Sequence, residues 1–218
     1  MPAPNTGGVL RSHISQMKVG DYIVWKSNGS AYIMDGSTEG YTERPVLGAS
    51  DTAMPYAGTH WYGIKVDKGL IVADRVIQNT VSWNQLNTSG IIEGKSLTLL
   101  DGTNGILRSL GGGNSYSDGA GNMKTSDEGY GAWPTNNEWD TYITNKDYGT
   151  GVGRDDVWHW NGVGTHCQET IGRWYENVST NRVKRGSTSV DGLLGAPSTG
   201  VDAGSGFRPV FEYKEVIA

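Results

Sequence analysis

Apolar and polar positions alternate with a period of two over several short stretches of the chain, a pattern that predicts strands. Tyr22-Ile23-Val24-Trp25 follows Gly20-Asp21 and closes at Ser27-Asn28-Gly29, a β-rich run between turns. Tyr62-Gly63-Ile64-Lys65-Val66 and Leu70-Ile71-Val72-Ala73 flank Asp67-Lys68-Gly69. That predicts a hairpin whose Gly supplies the positive φ of the turn. Asp155-Asp156-Val157-Trp158-His159-Trp160 reads as a strand-like run with alternating aromatics. Arg182-Val183-Lys184-Arg185-Gly186-Ser187 reads as a basic strand ending at a Gly. Gly206 to Tyr213 reads as one closing strand, with Phe207, Pro209, Phe211 and Tyr213 on one face.

Helical patterns are fewer. Ser82 precedes Trp83-Asn84-Gln85-Leu86 and suits the N-cap of a short helix. Thr135-Asn136-Asn137-Glu138 fits a capping box, and Trp139, Tyr142 and Ile143 follow at helical spacing, so a helix is expected within Trp133–Ile143. Residues 111–132 are Gly, Ser, Asn and Asp with little apolar content and predict a long surface loop. Residues 161–181 and 187–205 are also long, polar and Gly-rich, the kind of segment that carries function in a compact domain. The chain divides into a β-rich region over residues 1–75, suited to attachment or oligomerisation, and a larger domain over 76–218.

Composition sharpens this picture. Gly supplies 33 of 218 residues, and 8 Trp and 11 Tyr stand against 2 Phe. So much Gly disfavours long helices, because each one costs about 1 kcal/mol relative to Ala in a helix interior. Loops and short strands pinned by aromatic anchors are the expectation. The net charge of −5 and the absence of a Lys/Arg run argue against nucleic acid as a partner. Cys167 is the lone cysteine, which excludes an internal disulfide and a multi-Cys zinc site. The opening MPAPNTGGVL has neither a charged n-region nor an apolar core, so no secretory signal is read there, and no apolar stretch is long enough to insert in a bilayer.

Four motifs, taken in order, resemble the formylglycine-generating-enzyme family. They are Pro134-Thr135-x-x-Glu138-Trp139-x-x-Tyr142, Asp156-Val157-Trp158-His159-Trp160, Arg182-Val183-x-Arg185-Gly186-Ser187 and Gly206-Phe207-Arg208. The resemblance covers roughly residues 75–215. It implies an α+β, C-type-lectin-like fold: a short twisted antiparallel sheet, two helices and long loops, preceded by the small β-rich N-terminal region. Residues 12–21, Ser-His-Ile-Ser-Gln-Met-Lys-Val-Gly-Asp, together with the Gly-Phe-Arg-Pro-Val ending, also resemble proteins encoded among phage and prophage tail genes of Gram-positive bacteria. Tail-tip receptor binders and the variable proteins of diversity-generating retroelements share the implied fold. In those relatives the ligand surface lies on the loops between the second and fourth motifs.

Departures from the family bear on chemistry. Its oxidising members need a Cys pair for copper, which Cys167 alone cannot provide. Its iron-dependent members need a His-x-x-x-His-x-Glu core, and His13, His60, His159 and His166 do not make that spacing. His159 reads as half-buried and His166 as solvated. The Glu-Pro-Asn and Trp-Asn-Asp triplets of calcium-dependent sugar binders are missing, so no cofactor is expected, though a structural calcium on carbonyls and carboxylates stays compatible with the chain. Gly111-Gly112-Gly113 lacks the Lys and Ser/Thr of a phosphate loop, and no Gly-x-Ser-x-Gly elbow occurs. Asp155 and Asp156, as neighbours in a strand, would face opposite ways and suit loop capping better than catalysis.

A binding role remains, without enzyme activity. Trp174 and Tyr175, beside Arg173 and Asn177, offer flat aromatic faces with polar groups to orient a ligand. Their structural alternative is a loop anchor. Trp160, His166, Ser187, Asp191 and Asp202 complete the candidate ligand-binding set, the last three as adaptable polar contacts. Trp158 reads as core, and Arg185 and Arg208 as ties between strands. The expected protein is a receptor-binding component of a phage or phage-like tail, made without a signal peptide and acting outside the cell on the particle. Its expected partners are a bacterial cell-surface glycan or protein, other tail or particle proteins, and sister copies in a trimer. Two rivals stay open: a structural tail, collar or capsid-decoration protein, and a divergent metal-dependent oxidase of the same superfamily.

Overall fold

The computed structural model describes residues 3–46, 57–172 and 179–215. Among the described residues strand outweighs helix by 37% to 10%, and the strands form three sheets. The chain is therefore mostly β, which corrects the α+β, C-type-lectin-like expectation of one short sheet with two helices. The cause lies in the chain's punctuation by Gly and turn residues. The longest helical pieces, Trp83–Thr88 and Trp139–Thr144, have six residues each. Helices that short are held by tertiary packing rather than by their own propensity.

Among the described residues, nine strands make the largest sheet. Tyr22–Ser27 pairs with Thr59–Asp67, which turns through the predicted hairpin into Leu70–Ala73, with Gly69 at φ +65. Leu70–Ala73 pairs with Val210–Tyr213, then come Asn104–Arg108 and Lys95–Thr98. Strands from before residue 75 and after residue 95 thus share one sheet. On its other edge, Tyr22–Ser27 pairs with Leu10–Arg11 at its start and with Tyr32–Asp35 beyond. The sheet curls until the Leu100 N–H donates to the Tyr32 carbonyl at 3.1 Å.

Both faces of the curl are apolar, so the period-two pattern feeds two cores. Ile23, Trp25, Met34, Trp61, Ile71, Leu107 and Phe211 fill the concave side. Ile64, Val66, Val72 and Val210 on the convex side pack beneath Trp139, Ile143, Val157 and Trp158. Gly63 faces the concave core, where a Cβ would lie 2.7 Å from Ile71 Cγ2 and 3.3 Å from the Trp25 ring. Only Gly lets those two side chains meet.

The second sheet has the order Leu193–Pro197, Asn181–Gly186, Gly164–Thr170, Ser205–Phe207, Gln78–Asn79. The single closing strand expected over 206–213 is thus two strands in two sheets, joined at Arg208-Pro209. Pro209 has no N–H to give a ladder, and its carbonyl accepts from Ala73 N–H at 2.9 Å. Residues 111–132, expected to be a loop, contribute Ser115–Ser117 and Met123–Lys124 to a third sheet completed by Ala132–Trp133.

The Ser82 cap forms a full capping box with Gln85. Thr135 and Glu138 do not. The Glu138 carboxylate is taken by Arg108, at 2.7 Å to NH1, and by the Gly111 N–H at 2.8 Å, so the helix expected within Trp133–Ile143 shrinks to one π-helical turn, Trp139–Thr144. The 155–160 run is also not a strand. Asp155–Trp158 is a helical turn that ends with His159 left-handed at φ 41, and two carboxylates in its first turn favour that outcome.

Candidate functional site

The second sheet brings several connections to one end. Gly164 begins its strand beside Gly186, which ends its own, while Leu193 and Ser205 begin theirs at the same level. Residues 159–163, 187–192 and 202–204 therefore cluster there. Thr80 joins them through its N–H, which donates to the Asp202 carbonyl at 3.0 Å. Ser187 N–H donates to the Trp160 carbonyl at 2.8 Å, and Gly162 N–H to the Ser187 carbonyl at 2.7 Å, so two of these segments are laced together.

Among the described residues, three that are not Gly have positive φ: Thr80 at 58, His159 at 41 and Ser187 at 83. All three belong to this sheet end. Such backbones cost of order 1–3 kcal/mol and persist only where the surroundings impose them. The surroundings here are a buried polar hub. Arg185 and Asp140 form an ion pair with side chains 0% and 3% exposed. Arg185 Nε also donates to the Gly192 carbonyl at 3.1 Å and NH1 to the Gly112 carbonyl at 2.6 Å. Trp139 Nε1–H donates to the Val190 carbonyl at 2.6 Å. The guanidinium carbons of Arg185 and Arg208 lie 5.7 and 5.6 Å from the Trp139 ring centre. Arg208 is fully buried, bonded to Thr165 Oγ1 and the Ala73 carbonyl, and burial lowers its pKa to about 10. It stays charged at neutral pH. Arg208 ties the strands Gly164–Thr170 and Leu70–Ala73 together, as the pattern suggests, whereas Arg185 ties its own strand to the 187–192 loop, to Gly112 and to the turn that carries Asp140.

The carbonyls of 187–192 are thus held from below. Ser187, Thr188, Ser189 and Asp191 remain accessible, with Thr188 and Asp191 exposed. Ser189 Oγ–H donates to the Asp191 carboxylate. Asp202 is exposed and accepts from Ser205 Oγ at 2.9 Å. Trp160 is half-buried, its Nε1–H donating to the Gly153 carbonyl at 2.9 Å, so its indole anchors the loop as much as it faces outward. His166 is corrected from a solvated contact to a core residue. It is 1% exposed, with Nε2 at 3.2 Å from the Val81 carbonyl, because its strand is covered on both faces. Burial lowers its pKa to about 4, so it is neutral at pH 7. Arg173, Trp174, Tyr175 and Asn177 lie outside the described residues.

Comparison with protein-family models, curated proteins and solved structures finds no match to this chain. Its chemistry is therefore read from its own groups. Among the described residues, no three His, Cys, Asp or Glu side chains converge as a metal-binding group. Cys167 is buried, and burial raises its pKa well above the usual thiol value. A concavity of about 450 Å³ away from this sheet end carries Arg108, Glu138, Gln168, Glu169 and Glu212. Burial, reinforced by the nearby Glu138 charge, raises the Glu169 pKa. Both Glu169 oxygens lie within bonding distance of the Gly112 N–H, at 3.1 and 2.9 Å, and Glu138 is occupied by Arg108 and Gly111. The two carboxylates clasp the Gly111-Gly112 turn.

Sequence reasoning missed Thr80 and His159 as members of the surface, since nothing local marks them for left-handed backbone. Ser187 follows Gly186, itself at φ +78, and that Gly was the one visible sign of a sharp turn.

Proposed function

We propose that this chain is a non-enzymatic binding head of a phage or phage-like tail that recognises a bacterial cell-surface glycan or protein outside the cell. The observation that carries the reading is the end of the second sheet, where three strained backbones and a loop pinned through its carbonyls present small polar side chains. A preformed loop loses little conformational freedom when a ligand binds, so modest contacts give usable affinity. Hydroxyls of Ser187, Thr188 and Ser189 with the carboxylates of Asp191 and Asp202 suit a hydroxyl-rich ligand. Three heads in a trimer would raise the effective concentration of the second and third contacts.

Adsorption of labelled protein to intact bacterial cells tests this reading. The variant Ser187→Ala/Ser189→Ala/Asp191→Ala should keep its thermal midpoint and lose at least about tenfold in binding, the loss expected for removing charge-assisted hydrogen bonds. Adsorption unchanged in that variant but abolished by Trp174→Ala/Tyr175→Ala would move the contact surface away from the sheet end.

A further inference from the structure

The curl of the central sheet leaves a cleft along its seam. It lies between residues 30–32 and the edge strand Lys95–Thr98, beneath the helix Trp83–Thr88 and the turn that follows. Its volume is about 550 Å³, within the range of small-molecule sites. Tyr32, Val81, Leu86, Ile91, Leu97 and Leu107 give it an apolar body. Among the described residues Lys95 is its one charged lining group, and it is exposed.

Gln78 also lines the cleft. It is 2% exposed, and its Oε1 has no hydrogen-bond partner in the protein. Buried side-chain acceptors are bonded in the large majority of cases, and leaving one unmet is costly. The backbone of Gln78 cannot retreat to hide it. Its strand pairs with Phe207, and Gly206 packs so closely that a Cβ there would lie 1.9 Å from the Gln78 carbonyl. The cleft therefore combines an apolar body with a polar rim of Ser30, Gln85, Ser89, Ser96 and Thr98, has an unmet acceptor on one lining residue, and carries no buried charge.

We propose that this cleft binds a small neutral molecule with an apolar body and a single hydroxyl, an alcohol or phenol, whose O–H donates to Gln78 Oε1. An anionic head would set acceptor against acceptor at Gln78 Oε1, and a cationic one would find no carboxylate in the lining. A pure hydrocarbon would leave the acceptor unmet. This site is separate from the end of the second sheet and does not depend on the reading of that surface.

The probes are 4-ethylphenol and the similarly sized hydrocarbon 4-ethyltoluene, titrated into ¹⁵N-labelled full-length protein and followed by amide NMR. The phenol should shift the amides of Leu86, Ser96 and Leu97 and the Gln78 side-chain amide, and bind about five- to tenfold more tightly than the hydrocarbon. Gln78→Leu should abolish that preference. Ser89→Trp, at an exposed position lining the cleft, should block both probes without touching the core. Equal affinity of the two probes, shifts confined to other regions, no binding by either, or phenol binding intact in Ser89→Trp would each overturn the proposal.

Discussion

Asp140→Ala removes the carboxylate beneath the proposed contact loop. Asp140 Oδ2 accepts from Ala132 N–H at 2.8 Å and Asn137 Nδ2 at 2.9 Å, and its other oxygen pairs with Arg185. The substitution leaves a fully buried guanidinium charge without its counter-ion and the Ala132 N–H without its acceptor, while Asn137 Nδ2 keeps the Pro134 and Ala132 carbonyls. Breaking a buried ion pair from one side costs about 3–5 kcal/mol. For a chain of this size that is a fall of about 6–20 °C in Tm. Urea unfolding followed by tryptophan fluorescence measures it. Burial alone would raise the Asp140 carboxyl, but Arg185 and Asn137 hold its pKa below the usual value. The stabilisation is therefore present above the unfolded pKa of about 4 and lost as pH falls through the lower folded value. The gap between wild type and variant should be flat from about pH 5 to 8 and narrow under more acid conditions. The Gly186 N–H, which donates to the Gly192 carbonyl at 3.3 Å, should exchange faster in the variant as the loop loosens. A loss under about 1 kcal/mol, or a gap that widens on acidification, would refute the claim that this pair holds the loop.

Three further outcomes are expected. His166 has a folded pKa of about 4 against 6.5 unfolded. Its neutral burial should therefore cost the fold about 3 kcal/mol as pH drops from the unfolded value to the folded one, a slope that His166→Gln removes in urea titrations at matched pH. Ser187→Gly should raise stability by about 1 kcal/mol, since Gly adopts φ +83 without strain, while weakening cell adsorption; a destabilised variant would argue against stored strain. Gly206→Ala should cost about 3 kcal/mol or more in thermal or urea unfolding, because its Cβ would overlap the Gln78 carbonyl; a variant of wild-type stability would contradict the strand pairing there.

Local signals carried well where partners are near in sequence. The hairpin through Asp67-Lys68-Gly69, the Ser82 N-cap and the Arg182–Gly186 strand are all readable from neighbouring residues. So is the burial of Trp158. Long-range competition decided the rest. Glu138 fits a cap by spacing, but Arg108, thirty residues away, offers two charge-assisted bonds where the cap offers one. The alternation through 206–213 runs unbroken in sequence, yet Arg208 and Pro209 hand the chain from one sheet to another. Alternating aromatics in 155–160 suggested a strand, while the packing of Val157 and Trp158 against the convex face of the central sheet selects a helical turn. The helix content of the C-type-lectin-like expectation failed for a different reason: it rested on motif order, which says little about how much of each motif is helical. The site was legible in part. Ser187, Asp191 and Asp202 are polar and lie in loops, but their shared position at one sheet end depends on strand pairing across more than 100 residues, including Gly206 with Asn79.

The central claim is that the end of the second sheet is a preformed contact surface. Amide NMR of the ¹⁵N-labelled protein, titrated with solubilised surface polysaccharide from cells to which it adsorbs, tests it most directly. The account predicts shifts concentrated at residues 159–163, 187–192 and 202–204 and at Thr80, with little change elsewhere among the assigned amides. Shifts confined to other surfaces, or none at saturating polysaccharide and none with intact cell-surface protein, would contradict it.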